Sequence, residues 1–407
     1  MKVMCIYSNS FGGGTESVLL KGLPIITNAP DIRITFHDIY SRTSVCRKFK
    51  ELGLPIWRTG HVDDESIISF HSGVRRALDV VAAVPRHLRI ALQLRSAFST
   101  SDVLYVHAYK DLALCSAARL AGAKPSRPIV WHCHGLDDGV RLPMLAALAN
   151  RCARIIAISE DVRNHLLAIG VRPSIVRTIY NAVDYCQIEK AALSSPTQPL
   201  PPTATRRIVL LCPAAIREVK GIHLAIEALH LLPPDVDVWV TGDKTDPAAS
   251  DYLHNLRSLA KLHGVQGRLH FLGVRDDLPA VMALADVVCV PSVCREGFAL
   301  VAAEAMALGK PIVASSRGAL PEVIGRSGLI FDPDQPGDLA RQLLALLENS
   351  TLAASLGTSG RQSVLRRFTY DRWAREVIDV LRAAATVGAV ESSVAGAGSV
   401  PRHRAAL

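Results

Sequence analysis

The sequence contains no uninterrupted apolar run of the roughly 18 residues that crossing a bilayer demands, so no membrane-spanning helix is expected. Its opening, Met-Lys-Val-Met-Cys-Ile-Tyr, turns polar too quickly for a signal peptide. No C-x-x-C pair occurs. The nine cysteines, at 5, 46, 115, 133, 152, 186, 212, 289 and 294, fall mostly in apolar runs. They are expected as buried thiols in a reducing, cytoplasmic setting, with neither a disulfide framework nor a zinc site. Aromatic residues make up only 5%, and no nucleic-acid motif accompanies the net charge of +9, so nucleic acid is not an expected partner. No internal repeat is evident.

What is present is apolar and alternating. The 407 residues are too many for one ordinary core and fit two domains, and 49% hydrophobic residues supply both. Short apolar runs alternate with helix-length segments, the pattern of an α/β protein with mainly parallel, doubly wound sheets. The first set includes Val3 to Tyr7, Ile32 to Phe36, Val103 to Val106, Ile129 to Cys133 and Ile155 to Ile158. The second includes the run from Ile208, Val236 to Val240, Leu269 to Leu272, Val287 to Val290 and Ile312 to Ala314. The proline- and hydroxyl-rich residues 191–205 read as a linker. The expected organisation is an N-terminal Rossmann-like domain over 1–190, a second over 206–368, a helix over 369–385 returning to the first, and a disordered tail over 386–407. Two such sheets facing across a cleft bind ligands at their strand ends.

The run Pro291-Ser-Val-Cys-Arg-Glu296-Gly-Phe-Ala-Leu-Val-Ala-Ala-Glu304-Ala-Met-Ala-Leu-Gly309-Lys-Pro311 carries the most chemistry. A buried strand, Val287 to Val290, leads into it, and a helix is expected over Phe298 to Leu308, stopped by Gly309 and Pro311. Glu296 then precedes the first turn, where the N–H groups of Gly297, Phe298 and Ala299 can face an anion. Glu304 lies further along the same helix, roughly 12 Å from Glu296 at 1.5 Å per residue. That spacing suits a long ligand touched at two points and not a carboxylate pair flanking one glycosidic bond. The competing reading is a solvated helix with two incidental acids.

This run resembles the signature of the family-4 retaining glycosyltransferases of the GT-B fold, E-G-F-G-L followed by E-A-M-A-x-G-x-P-V-V. Here it reads Glu296-Gly-Phe-Ala299-Leu300 and Glu304-Ala-Met-Ala-Leu-Gly309-Lys-Pro311-Ile-Val313, with Ala299 in place of the usual glycine. Further landmarks follow in family order, among them Ile158-Ser159-Glu160, Asn181-Ala-Val-Asp184, Leu269-His-Phe-Leu-Gly273 and Leu320-Pro-Glu322. The resemblance implies two Rossmann-like domains and a retaining, hexosyltransferase-type transfer. A nucleotide diphosphate-sugar would be the donor substrate and a hydroxyl group of unknown type the acceptor, as in glycan, glycolipid or glycosylated-metabolite synthesis, with no cofactor and no metal. It also implies roles. Glu296 orients the donor sugar's hydroxyls, Glu304 the ribose, and Gly297, Phe298, Ala299 and Leu300 line the donor.

In Leu211-Cys-Pro-Ala-Ala-Ile-Arg217-Glu-Val-Lys220-Gly221 a strand ends and a helix begins, and cations there would neutralise a diphosphate. The family's arginine position is Ala215, so Lys220 is the firmer contact and Arg217 a substitute. At Trp131-His-Cys-His134-Gly135 a strand opens into a glycine turn, and the resemblance assigns His134 to the reacting end of the sugar. The His-x-His form also suits a metal, but no third ligand is evident nearby. Asp332-Pro-Asp334 has the form of a metal-binding D-x-D and is read as surface.

Gly12-Gly13-Gly14-Thr15-Glu16-Ser17 almost spells G-x-G-x-x-G, and Asp38 follows at the distance of a ribose-binding acid. That pattern would also fit a nicotinamide dinucleotide-dependent enzyme. The resemblance instead places Gly13, Gly14 and Glu16 in a turn facing donor phosphate and acceptor. A degenerate sugar-nucleotide-binding subunit and a sugar-nucleotide epimerase are also compatible with these motifs. Arg75, Arg76, Arg86, Arg89 and Arg95, interleaved with aliphatic residues, read as a crossover helix with a solvated face or as a peripheral contact with the inner membrane surface.

Overall fold

The computed structural model describes residues 1–7, 14–38, 48–58, 88–95, 98–120, 122, 127–135, 142–201, 207–242 and 249–397. The chain divides into two compact units. One comprises Met1–Ile158, Val162–Ile179 and Trp373–Leu407, the other Ser159–Asp161 and Tyr180–Arg372.

The first unit is built on seven parallel strands, β1 (Lys2–Tyr7), β2 (Arg33–Asp38), β3 (Ile56–Arg58), β4 (Val103–Val106), β5 (Ile129–Cys133), β6 (Arg154–Ala157) and β7 (Val176–Thr178). Their order across the sheet is β3-β2-β1-β4-β5-β6-β7. Helices cover both faces, so β4 and β5 are buried along their whole length, which is why they read as unbroken apolar runs. The helix Gly14–Thr27 follows β1, and at Gly22 it has no side chain because the Trp373 ring fills that space: a Cβ there would lie 2.3 Å from it.

The second unit has six parallel strands, β8 (Ile208–Pro213), β9 (Val236–Thr241), β10 (Leu269–Gly273), β11 (Val287–Val290), β12 (Ile312–Ser315) and β13 (Leu329–Phe331). The order is β10-β9-β8-β11-β12-β13. Its core joins Leu210, Val238, Cys289 and Val313 of the strands to Ile226, Leu256 and Leu343 of the helices. Each such side chain contributes about 1.5 to 3 kcal/mol by leaving water. In both sheets the order reverses beside the first strand, at β1/β4 and β8/β11. Open α/β sheets bind their ligands at the carboxyl ends of strands flanking such a reversal.

Three expectations need amendment. The division falls between Ile179 and Tyr180, ahead of residues 191–205, and the described part of that stretch is tied into the second unit. Buried Arg275 makes two bonds to Asp277, at 2.7 and 2.8 Å, Asp277 accepts from the Thr197 N–H, and Arg275 donates to the Gln198 carbonyl. The C-terminal helix Tyr370–Ala397 runs past residue 386, where a disordered tail was expected, because the alanine-rich stretch propagates the helix. The helix after β11 spans Leu300–Ala307 and so starts later than Phe298.

Among the described residues no helix is long and apolar enough to cross a membrane. Of the basic stretch, Arg75, Arg76 and Arg86 lie outside the described residues. Arg89 and Arg95 sit in helical backbone that buries Ile90, Ala91 and Leu94 while Leu88 and Leu92 are exposed.

Candidate active site

In the second unit the loops after β8 and β11 come together at the strand reversal. After β8 the chain makes a short turn, Glu218–Lys220, closed by Gly221 in the left-handed conformation at φ 67°. Glycine is required there twice over: its φ is positive, and a Cβ would lie 1.9 Å from the Pro291 carbonyl oxygen. The Val219 carbonyl accepts from the N–H groups of Val293 and Cys294 at 3.0 and 3.2 Å, which fastens the two loops. Lys220 Nζ then donates to Glu296 Oε1 at 2.6 Å, and the Ser292 hydroxyl donates to the same oxygen at 2.5 Å. Ser292 is itself held from behind by Ser315, whose hydroxyl donates to the Ser292 carbonyl at 2.6 Å. Gly318 passes so close to Glu296 that a Cβ would sit 2.4 Å from its backbone N and O.

The pair is half-buried, so the attraction is stronger than at a surface and the lysine arrives pre-aimed. Burial raises the Cys294 thiol pKa and Glu296 raises it further, while Lys220 and Arg217 oppose the rise. Arg217 is therefore close enough for its charge to be felt at this loop. It is exposed and lines a cavity of about 480 Å³ with Tyr252, His223 and Asn255.

Ala299 is the one non-glycine residue with positive φ among the described residues, at φ 59° and ψ 69°. It breaks the helix before Leu300, so Gly297, Phe298 and Ala299 form a loop rather than the first turn. Phe298 is buried against Phe368, with ring centroids 5.1 Å apart, and does not line an open surface. Glu304 lies in the first turns of the helix, and its charge acts on Tyr370, whose hydroxyl pKa burial raises first. The left-handed strain gives a direct expectation: Ala299→Gly relieves about 1 to 2 kcal/mol, offset partly by glycine's extra unfolded-state freedom. Thermal unfolding of the second unit should move up by a degree or two. A drop in midpoint would contradict the strain.

In the first unit the ends of β4 and β5, next to the corresponding reversal, gather histidines. His132 lies on β5, His134 just beyond its end, and His107 just beyond β4, the neighbouring strand in register Val106 to Trp131. His107 Nδ1 and His134 Nε2 are 3.1 Å apart and share one proton. The Tyr105 hydroxyl pairs with His132 Nδ1 at 2.6 Å, and the Cys5 thiol with His107 Nε2 at 3.4 Å. Burial pushes all three imidazoles below their usual range, His134 to about 3. The sequence offered no third partner for the His-x-His pair; the sheet supplies His107, because adjacent parallel strands end level.

Gly14 opens the first helix, and buried Glu16 in its first turn accepts from Lys48 Nζ at 2.7 Å. Gly13 lies outside the described residues. Asp334 is exposed and pairs with Arg317 at 2.5 Å, while Asp332 accepts the Asp334 N–H, which is the geometry of a surface turn.

The model of the family Glycosyl transferases group 1 matches residues 207–349, and that of Glycosyltransferase Family 4 matches residues 56–185. The chain belongs to the family-4 glycosyltransferases. Similar proteins include an N-acetyl-alpha-D-glucosaminyl L-malate synthase of Bacillus anthracis, 25% identical over 75% of this chain and 81% of its own. A GDP-mannose-dependent alpha-(1-6)-phosphatidylinositol monomannoside mannosyltransferase of Mycobacterium tuberculosis is 35% identical over 43% of this chain, and the match spans 48% of that protein. Among solved structures, Anabaena Alr3699/HepE in complex with UDP and glucose superposes with a TM-score of 0.71 at 22% identity, covering 94% of this chain and 99% of its own. The glycosyltransferase has the GT-B fold. The comparisons do not favour the nicotinamide reading of the Gly12 to Ser17 turn.

Sequence reasoning missed Ser292, Ser315 and His107. The serines carry no spacing signal of their own. His107 ends an apolar run one strand from His-x-His, which is a signal in hindsight.

Proposed function

We propose that this glycosyltransferase takes its sugar from a nucleoside diphosphate donor held in the second unit and transfers it, with retention, to a hydroxyl acceptor in glycolipid or glycosylated-metabolite synthesis. The observation that carries the reading is Lys220 Nζ on Glu296 Oε1 at the carboxyl ends of β8 and β11. Transfer breaks the bond between the anomeric carbon and a diphosphate oxygen and makes one to the acceptor oxygen, whose proton passes to the departing diphosphate. Negative charge grows on the departing diphosphate, and Lys220 is the fixed cation that meets it, with Arg217 as a second. Ser292 and Lys220 both occupy Glu296 Oε1, which leaves Oε2 to accept from a donor-sugar hydroxyl.

Glu304 is assigned to the ribose hydroxyls, and His134 to the reacting end of the sugar. Burial keeps His134 neutral at physiological pH, so it can offer one N–H to an oxygen without adding a charge. Gly14 and Glu16 are assigned to the side of the donor phosphate and acceptor. A peripheral membrane contact through the helix bearing Arg89 and Arg95, with Leu88 and Leu92 exposed beside them, would suit a lipid acceptor.

The names of the relatives support a nucleotide-sugar donor, since one is GDP-mannose-dependent and a structural neighbour is bound to UDP and glucose. The test is turnover with a panel of UDP-, GDP- and ADP-sugars, with the anomeric configuration of the product or of slowly hydrolysed donor read by NMR. Release of one nucleoside diphosphate with retained configuration is expected. No release with any donor would favour a binding subunit, and inversion would remove the retaining assignment. Glu304→Gln should weaken donor affinity about tenfold, the loss of roughly one charge-assisted hydrogen bond; unchanged affinity would remove the ribose role.

A further inference from the structure

We propose that His107, His132 and His134 form a binding site for one divalent transition-metal ion of the zinc class, and that an ion held there silences sugar transfer. One ring nitrogen from each lies within 4.8 Å of those of the other two. Two imidazoles from alternate residues of one strand and a third from the end of the next strand make a three-nitrogen set, the donor number of zinc sites that keep a fourth position open. Zn–N bonds of about 2.0 to 2.1 Å need the nitrogens a little over 3 Å apart, so modest side-chain rotation closes the set.

The polar accounting of the cluster independently points to a missing ligand. His132 Nε2 and His134 Nδ1 are buried and have no hydrogen-bond partner among the described residues. Leaving either unsatisfied costs about 1 to 3 kcal/mol. With the Tyr105 hydroxyl on His132 Nδ1, the tautomer protonated at Nδ1 presents its Nε2 lone pair inward. The Cys5 thiol meets His107 on Nε2, away from His134, as an outer partner does in metal sites. An ion bound through His107 Nδ1 and His134 Nε2 displaces the proton they share at 3.1 Å and keeps them near that separation, with the proton of His134 then on its Nδ1. The His132 and His134 rings lie nearly parallel with centroids 4.4 Å apart, as side chains of alternate residues on one strand can. His134, partly exposed beside Gly135, is the entry side.

The inhibitory half rests on the assignment of His134 to the donor sugar: an imidazole that ligates a cation cannot give its N–H to the sugar. The binding half does not.

Metal-stripped protein is titrated with Co²⁺ in the absence of substrate. One equivalent should bind with the visible absorption of a four- or five-coordinate nitrogen site, and Zn²⁺ should displace it. His107→Gln and His132→Phe, checked for folding by circular dichroism, should lose that absorption. Because these residues are buried and their substitution can unfold the unit, X-ray absorption of the zinc-loaded wild type counts imidazoles directly, with three expected. No uptake, a lower count, or full uptake by both folded variants would overturn the site. Turnover is then compared in EDTA and with one equivalent of Zn²⁺. Loss with zinc and recovery in EDTA is expected; full activity with zinc bound would overturn the inhibitory half. Absence of turnover even in EDTA would count against the transferase assignment and not against the metal site.

Discussion

Lys220→Met lowers turnover by about two to three orders of magnitude, the usual cost of removing one preorganised group that meets charge growing in the transition state. The expectation follows from geometry. Lys220 is fixed by a left-handed glycine cap behind it and by a carboxylate 2.6 Å in front, so it spends no reorganisation when the diphosphate departs. Methionine keeps the stem and its packing while removing the charge. Glu296 then retains only the Ser292 hydroxyl and becomes a half-buried anion beside the donor, which repels the diphosphate as well. Arg217→Met is the comparison. Its side chain is exposed, its charge is screened, and its loss should cost about tenfold or less. Steady-state rates of the two variants with the preferred donor make the measurement. Equal, small effects would remove Lys220 from the role, and a larger effect at Arg217 would transfer the role to it.

The second large effect is acid lability confined to the first unit. His37, His107, His132 and His134 all belong to it, and burial lowers all four, His37 to about 4 and His134 to about 3. The unfolded chain takes up these protons near pH 6.5, whereas the folded unit refuses them until the lowered values are reached. Stability is therefore complete above about pH 6.5 and falls as the pH drops below it. Each independent group removes about 1.4 kcal/mol per pH unit in that window. The three clustered rings share their protonation, so they count as fewer than three.

The loss by pH 5 is still several kcal/mol, comparable with the whole stability of a domain. The second unit behaves differently. Burial opposes ionisation of Asp277, but bonds from the Thr197 N–H and Arg275 overcome it and hold its pKa low, and that contribution is lost only as the pH falls through the lowered value. Hydrogen exchange resolved by peptide at pH 7, 6 and 5, with EDTA present, separates the units. Protection should fall first in β1, β4 and β5 and persist in β8, β9 and β11. Equal protection at pH 5 would contradict the neutral buried histidines.

The central strands were legible because a parallel strand covered on both faces must be apolar throughout, and β4, β5 and β11 fall on the expected residues. The edge strands β3, β7 and β13 were not, since three residues carry no period. The helix carrying Glu304 was expected from its alanines, but the left-handed turn at Ala299 that delays its start is invisible without backbone geometry. Gly221 and Lys220 could be picked out together, whereas the bond from Lys220 to Glu296 joins residues 76 apart and needed the strand order. The histidine cluster was half legible: alternate residues on a strand share a face, but the third ring comes from another strand. Proline in 191–201 suggested a free linker, and Arg275 with Asp277, too distant to be read together with it, anchors that stretch instead.

Isothermal titration of wild-type protein and Lys220→Met with UDP, GDP, ADP and their sugars, and with NAD and NADP, in the presence of EDTA, tests the central claim most directly. The account predicts that the wild type binds one nucleoside diphosphate and its sugar, and that the variant binds the same ligand far more weakly. Binding of NAD alone, or nucleoside diphosphate binding that the variant retains in full, would contradict it.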